Sequence, residues 1–378
     1  MPKYKFTEIA INSTEKKKPT EADKDTYIGL EHLDSGTLTV TRWGAEVAPI
    51  GEKLVMKKGD VLFGKRRAYQ KKVGIAPFDG IFSAHGMVLR PREEVITKEY
   101  FPLFISSDYF LNEAIRISVG SLSPTVNWKD LKDLEFFIPS IEEQRRLTPV
   151  VWAAIEARNA YKILISRTDE LVKSQFIEMF GEDKFPVCTL SKECDLITKG
   201  TTPTTIGFNF TDSGANFIKI ENIDEHGNFI REGMMFISDA CHEAMKRSQL
   251  KEDDILFSIA GAIGRCAVVP SDILPANINQ ALAIVRLKSG SVLDKKFVMA
   301  ALQSDYVVEQ YMELKRGVAQ LNLSLKNIGD FKVPVPPMSE QRRYVQLVEH
   351  SDKSKFELQE AIVRIDNLIK SLIQQDTE

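Results

Sequence analysis

"IPSIEEQRRL" (residues 138–147) and "VPVPPMSEQRRY" (333–344) say nearly the same thing twice. Gln144, Arg145 and Arg146 recur as Gln341, Arg342 and Arg343, a shift of 197 residues (341 − 144). The same shift lays "SDYF" (107–110) on "SDYV" (304–307) and "LKDLEFFIPS" (131–140) on "IGDFKVPVPP" (328–337). It also lays "DELVKSQF" (169–176) on "DNLIKSLI" (366–373). Upstream it shortens: "GDVLFG" (59–64) meets "DDILFS" (253–258) at 194 (253 − 59), and "YIGLEHLDSG" (27–36) meets "FIKIENIDEHG" (217–227) at 190 (217 − 27). A long period held in order, slipping only where loops fall, means a duplicated structural unit.

Each copy has two parts. The first is built of short β-rich runs such as "DVLFG", "GMVLRP" and "LAIVRL", punctuated by Gly, Asn, Asp and Pro, with a few helical stretches between them. This predicts an α+β globular domain. The second part runs from 141 to about 180 and from 338 onward, and reads as helix throughout. Leu147, Val150, Ala154, Tyr161, Leu164 and Leu171 recur at helical spacing, as do Leu358, Ile362, Ile365, Ile369 and Leu372. Such stripes predict long helices packed on one another, coiled-coil-like. The expected boundaries are 1–140 (first domain), 141–182 (first helix), 183–337 (second domain) and 338–378 (second helix). "EQRR" falls in the opening turns of each helix; Ser140 and Glu143 form a capping box in the first, and Pro337 replaces the serine in the second. Pro149 lies inside the first helix, and the reading expects a kink there.

Composition narrows the class. With 378 residues, 43% hydrophobic and 27% charged, the chain has material for more than one core. No apolar run reaches the roughly 20 residues of a membrane span. Cys188, Cys194, Cys241 and Cys266 all lie in the second copy, with no C-x-x-C spacing; they read as thiols in a reducing cytoplasm.

Catalytic signatures fail on inspection. "GDVLFGKR" (59–66) imitates a phosphate loop, but Arg66 stands where a Ser or Thr would hold magnesium, and its interior reads as strand. "GAIG" (261–264) follows a strand and reads as a tight turn. His32, His85, His226, His242 and His350 have no metal-ligand spacing. The reading expects no catalytic residue, no metal and no cofactor.

The chain resembles the specificity subunits of type I restriction–modification systems. The resemblance rests on the duplicated unit, "GDVLF", "DDILFSIAGAIG", "KGTTP" (199–203), "NQAL" (279–282), the "PxxxEQRR" entry to each helix, and "KSQFIEMFG" (173–181). It covers essentially the whole chain; "KGTTP" has no counterpart in the first copy. It implies two similar target-recognition domains separated by two antiparallel helices with a pseudo-two-fold internal repeat. It further implies that each domain reads one half of a bipartite, asymmetric DNA target. Double-stranded DNA, two methyltransferase subunits and restriction subunits are the implied partners, with no membrane and no catalysis by this chain. The alternatives are a non-catalytic repeat scaffold, or a DNA-binding subunit of another methylation or defence system.

With a net charge of −3 the chain is not strongly basic, and DNA affinity is expected to come from local patches and from partner subunits. The candidates are Lys65, Arg66, Arg67, Lys71, Lys72 and Arg116 in the first copy, and Lys199, Arg265, Lys315 and Arg316 in the second. Gln144, Arg145, Arg146, Gln341, Arg342 and Arg343 are expected to anchor helix to domain or to dock partners. Helices of about 35 residues would be roughly 50 Å long. The expected half-sites therefore lie on the order of one to one and a half turns of DNA apart.

Overall fold

The computed structural model describes residues 2–181, 184–314 and 322–374. Its contacts divide the chain into two compact units, Met1–Lys162 with Glu360–Glu378, and Ile163–Gln359. Each unit takes in half of each long helix, so the units cut across the domain and helix segments drawn from the sequence.

The first unit has two four-stranded sheets. One is wholly antiparallel, ordered Ala10–Ser13, Met87–Pro91, Val61–Phe63, Val73–Ile75. The other runs Lys16–Lys17, Lys53–Met56, Gly80–Phe82, Tyr27–Ile28, its last pair parallel. The second unit repeats the first sheet as Cys194–Lys199, Leu282–Leu287, Ile255–Ser258, Cys266–Val268. It also repeats the parallel pair, as Ala215–Ile218 with Ala276–Ile278. A two-stranded ribbon closes each unit: Lys3–Lys5 with Glu135–Phe137, and Val187–Thr189 with Lys332–Pro334.

Two polar devices repeat with the sheets. Arg90 grips Asp60 through two bonds of 2.8 Å, and Asp60 also accepts the Lys57 N–H. Arg286 grips Asp254 in the same way at 2.6 and 2.7 Å, and Asp254 accepts the Lys251 N–H. Each pair locks the turn before a central strand to the neighbouring strand; a bidentate fork fixes orientation as well as charge. Ser107 and Ser304 occupy the N-cap position of the second of two consecutive helices, and each Oγ donates back to a carbonyl of the first, Phe104 at 2.6 Å and Ala301 at 2.7 Å; Ser107 Oγ also accepts from the Phe110 N–H.

The long helices are Ile141–Phe180 and Met338–Gln374. The first runs unbroken through Pro149; Thr148 Oγ1 donates to the Gln144 carbonyl (2.6 Å) one turn back. In the first unit Val151 and Ile155 join the core on which Ile369, Leu372 and Ile373 pack, and Arg158 pairs with Asp366 at 3.0 Å. In the second, Phe176, Phe180 and Tyr344 share the core, and Lys355 pairs with Asp169 at 2.7 Å. Both ion pairs join the same positions, shifted by 197 (355 − 158 and 366 − 169), and within each unit the two helix halves run antiparallel. The expected stripe holds at Leu147, which is buried, and is corrected beyond it: Val151 and Ile155 are buried, whereas Val150, Leu164 and Leu171 are about half exposed. The helix carries apolar residues on more than one face, so spacing alone admits two stripes.

One layer does not repeat. In the first unit the strand Gly80–Phe82 is flanked by Lys53–Met56 and Tyr27–Ile28. The counterpart of Lys53–Met56 in the second unit is reduced to a single bridge, Gln249 to Asn277, with the Leu250 N–H on the Ala276 carbonyl (2.9 Å). On the opposite edge the second sheet instead gains Met235–Ile237 and Phe210–Thr211. The following helix, Asp239–Ala244, brings a separate small core of Ala215, Phe217, Ile237, Cys241 and Met245.

Candidate nucleic-acid interface

The loop at 64–72, between Val61–Phe63 and Val73–Ile75, reads Gly-Lys-Arg-Arg-Ala-Tyr-Gln-Lys-Lys. It is held by its backbone. Lys65 accepts from the Val126 N–H (2.9 Å), Arg66 donates to the His85 carbonyl (3.2 Å), and Arg67 donates to the Pro124 carbonyl (2.7 Å). Segments 64–72, 83–86 and 118–126 therefore converge. The last is a tight hairpin in which Val119 and Thr125 exchange both backbone bonds, at 3.1 and 2.9 Å. The 116–127 stretch, rich in hydroxyl and amide groups, is thus seated directly on the basic loop.

The second unit builds the same junction from different residues. Ile259 accepts from the Leu323 N–H (3.0 Å) and donates to the Ala281 carbonyl (2.9 Å). Ser258 Oγ braces the turn, donating to the Ala262 carbonyl and accepting from the Arg265 N–H. Aligned through the flanking strands, Arg67 (φ 54) and Lys71 (φ 50) of the first unit meet Gly261 (φ 73) and Gly264 (φ 93) of the second. All four are left-handed, a conformation that suits glycine and strains a residue with a Cβ. The first unit thus carries basic side chains where its sister carries none.

The motifs "KGTTP" and "NQAL" meet at this edge. The Gly200 N–H donates to the Leu282 carbonyl, and a Cβ on Gly200 would lie 1.9 Å from the Ile278 carbonyl oxygen, which explains the glycine. Thr202 Oγ1 hydrogen-bonds the exposed Gln280 side chain.

The basic candidates divide by what they touch. Arg66 and Arg67 are exposed, and Arg67 Nε donates to Ser123 Oγ at 3.4 Å. Lys65 is half-buried, and burial, helped by Lys16, pulls its ammonium below the usual lysine range. Lys71 is engaged by Asp108 at 2.6 Å, and Lys72 donates to the Leu30 carbonyl at 2.6 Å. The Lys71 bond, with Lys370 at 3.3 Å, holds the Asp108 carboxyl below the usual carboxylate range. Arg116 pairs with Glu113 on its own helix. Lys199 is exposed at a strand end, and Arg265 donates to the Ile223 carbonyl at 3.1 Å. Lys315 and Arg316 lie outside the described residues.

"EQRR" separates into two roles. Gln144 is fully buried: its Oε1 accepts the Thr97 N–H (2.7 Å), and its Nε2 donates to the Val95 and Pro139 carbonyls (both 2.9 Å). Gln341 repeats this with the Asp294 N–H (2.8 Å) and the Val292 and Pro336 carbonyls (both 2.8 Å). Each glutamine stitches a helix start to a loop some 50 residues earlier. Arg145, Arg146, Arg342 and Arg343 are exposed. The reading from sequence missed Ser123, His85 and both aspartate–arginine forks; the aspartate repeats at 60 and 254, but nothing local ties it to its arginine.

No helix among the described residues is long and apolar enough to cross a membrane. Nor does any group of three or more His, Cys, Asp or Glu among them form a metal-binding cluster.

The model of the type I restriction modification DNA specificity domain matches this chain twice, over residues 6–148 and 190–364. The chain belongs to that family. The two matches fall on the two copies of the duplicated unit. A specificity subunit of the type I restriction enzyme EcoBI from Escherichia coli is 30% identical over 165 residues, 42% of this chain and 34% of that protein. The chain thus matches about a third of the length of that relative. A putative MjaX specificity subunit from Methanocaldococcus jannaschii is 21% identical, covering 90% of this chain and 85% of its own. The specificity family's fold recurs in a chain solved in work on complex assembly and conformational transition of the type I R-M system. That chain gives a TM-score of 0.65 at 19% identity, covering 99% of this chain and 96% of itself. An S subunit from M. genitalium gives 0.55 at 15% identity, covering 98% and 95%.

Proposed function

We propose that the chain is the DNA-recognition subunit of a cytoplasmic type I restriction–modification complex, not itself catalytic. It reads a bipartite, asymmetric target, one half with each unit. The observation that carries this reading is the pair of junctions just described: one duplicated scaffold, gripped by the same forks and glutamines, presents two chemically different loop sets. Sequence is read by donors and acceptors set at base edges, while phosphate contacts fix position. Arg66 and Arg67 with the 118–126 hairpin suit the first half-site. Gln280, Thr202, Lys199 and Arg265 suit the second, and Lys315 and Arg316 are assigned to the same half-site. Lys71 and Lys72, engaged within the protein, act as braces.

Partner docking is assigned to the long helices. Ile163, Leu164, Leu171, Phe356, Val363 and Leu368 are all roughly half exposed or more. Apolar side chains on a helix surface suit helices of two methyltransferase subunits, with restriction subunits joining that assembly. The exposed Arg145, Arg146, Arg342 and Arg343 would contribute at the rim.

Reconstitution with the cognate methyltransferase subunit tests the reading. The complex should bind specific duplexes with strong salt dependence and methylate them with S-adenosylmethionine, whereas the chain alone should transfer no methyl group. A complex that assembles but binds all duplexes alike, or none, overturns it in favour of a repeat scaffold.

A further inference from the structure

The hairpin at 119–125 has a tip of Gly120, Ser121, Leu122, Ser123 and Pro124. Four of these are small, polar or turn-forming, as a solvated tip requires. The fifth is a leucine with 91% of its surface exposed. A single exposed leucine is ordinary; its mounting here is not. Both backbone bonds between Val119 and Thr125 close the hairpin, Gly120 turns at φ 114, and the return strand is pinned through Pro124 and Thr125 to Arg67 and Arg66. The hairpin thus presents Leu122 at its tip, beside Ser123, whose Oγ accepts from Arg67 Nε, and on the loop that carries the exposed Arg66 and Arg67. Arg67 sits in a left-handed conformation where the repeat uses Gly261. Strained positions retained against a ready glycine alternative point to function.

We propose that Leu122 is an apolar wedge that enters the base stack of the half-site read by the first unit and unstacks one step. Arg66 and Arg67, on the loop to which the hairpin is pinned, hold neighbouring phosphates. The proposal rests on the DNA-reading function above. It supplies a shape-dependent source of specificity, because the cost of opening a step depends on which bases form it.

The test uses the full chain reconstituted with its methyltransferase subunit and duplexes carrying 2-aminopurine at successive positions of the half-site, the methylated base left unlabelled. The wild-type complex should raise fluorescence at one step. Leu122→Ala should return that position to the free-duplex level and weaken binding about tenfold, as loss of one buried aliphatic side chain would, while Leu122→Met should keep the signal. Arg67→Gly should keep the fold at an unchanged or higher Tm and weaken binding to all duplexes about equally. A complex that binds and methylates DNA with no fluorescent step, or with a step indifferent to Leu122→Ala, overturns the wedge and leaves the recognition function standing. Loss of assembly by Leu122→Ala without DNA would make Leu122 a protein contact and also overturns the wedge. A wild-type complex that binds no duplex overturns both.

Discussion

The two units agree where they meet the long helices and disagree where strands end. Both have the antiparallel four-stranded sheet, the aspartate–arginine fork, the serine that joins two helices, and the buried glutamine at the helix start. Only the second has the added edge strands, the helix Asp239–Ala244 and its small core, and only the first carries arginine and lysine at the two left-handed loop positions. Duplication has preserved what packs and released what faces outward. That is the pattern expected when one scaffold must read two different half-sites.

Removing one member of a fork should break the shared part most severely. Asp254 is 1% exposed and Arg286 21%, so Asp254→Ala leaves a largely buried guanidinium without its carboxylate, held only by the Gln249 carbonyl, and should cost about 3–5 kcal/mol in urea unfolding. Asp60→Ala should cost less, because Arg90, at 35% exposed, can turn to water. Equal losses would show that exposure does not set the difference. Next come the glutamines. Gln144→Ala and Gln341→Ala each strand three backbone groups and should each cost about 2–4 kcal/mol, by similar amounts. Arg145→Ala and Arg342→Ala should stay within about 0.5 kcal/mol. A smaller effect separates the turns before the central strands, where Gly59 (φ 91) faces Asp253 (φ 70) in the repeat. Gly59→Ala should cost about 1 kcal/mol, whereas Asp253→Gly should change stability by less than about 0.5, since relief of strain is offset by a looser unfolded chain.

The smallest effect belongs to the first unit alone. The bond from Lys17 (2.8 Å) and the Thr20 N–H (2.8 Å) hold the Asp23 carboxyl down to about 2. A folded-state value below the unfolded one gives stability that is complete above the usual carboxylate range and is lost as pH falls toward 2. Asp23→Asn should therefore flatten the acid limb of the stability curve between about pH 4 and 2 and leave neutral pH behaviour nearly parallel. An unchanged acid limb would remove Asp23 from that account.

Much of this frame was legible in the sequence. The recurrence of "EQRR" and the constant shift located both long helices, because a duplicated unit repeats its packing residues in order. Beyond Leu147 the helix-facing stripe was read one position off, since Val150 and Val151 are both apolar and only tertiary contact selects between them. The forks were not legible: Asp60 and Arg90 lie thirty positions apart with no local signature. Nor was the added edge around Phe210 and Met235, because an insertion destroys the shift that exposes everything else. At the reading edge, composition suggested that Lys71 and Lys72 were available to DNA, but hydrogen bonds to Asp108 and Leu30 occupy them.

The central claim is that each unit reads its own half of one target. Mapping methylated sites across a genome, with the wild-type chain and with Thr202→Ala/Gln280→Ala, tests it most directly. The account predicts a bipartite, asymmetric motif in the wild type, and in the variant relaxed or weakened recognition of one half with the other unchanged. A continuous or palindromic motif, or a variant in which both halves change together, would contradict it.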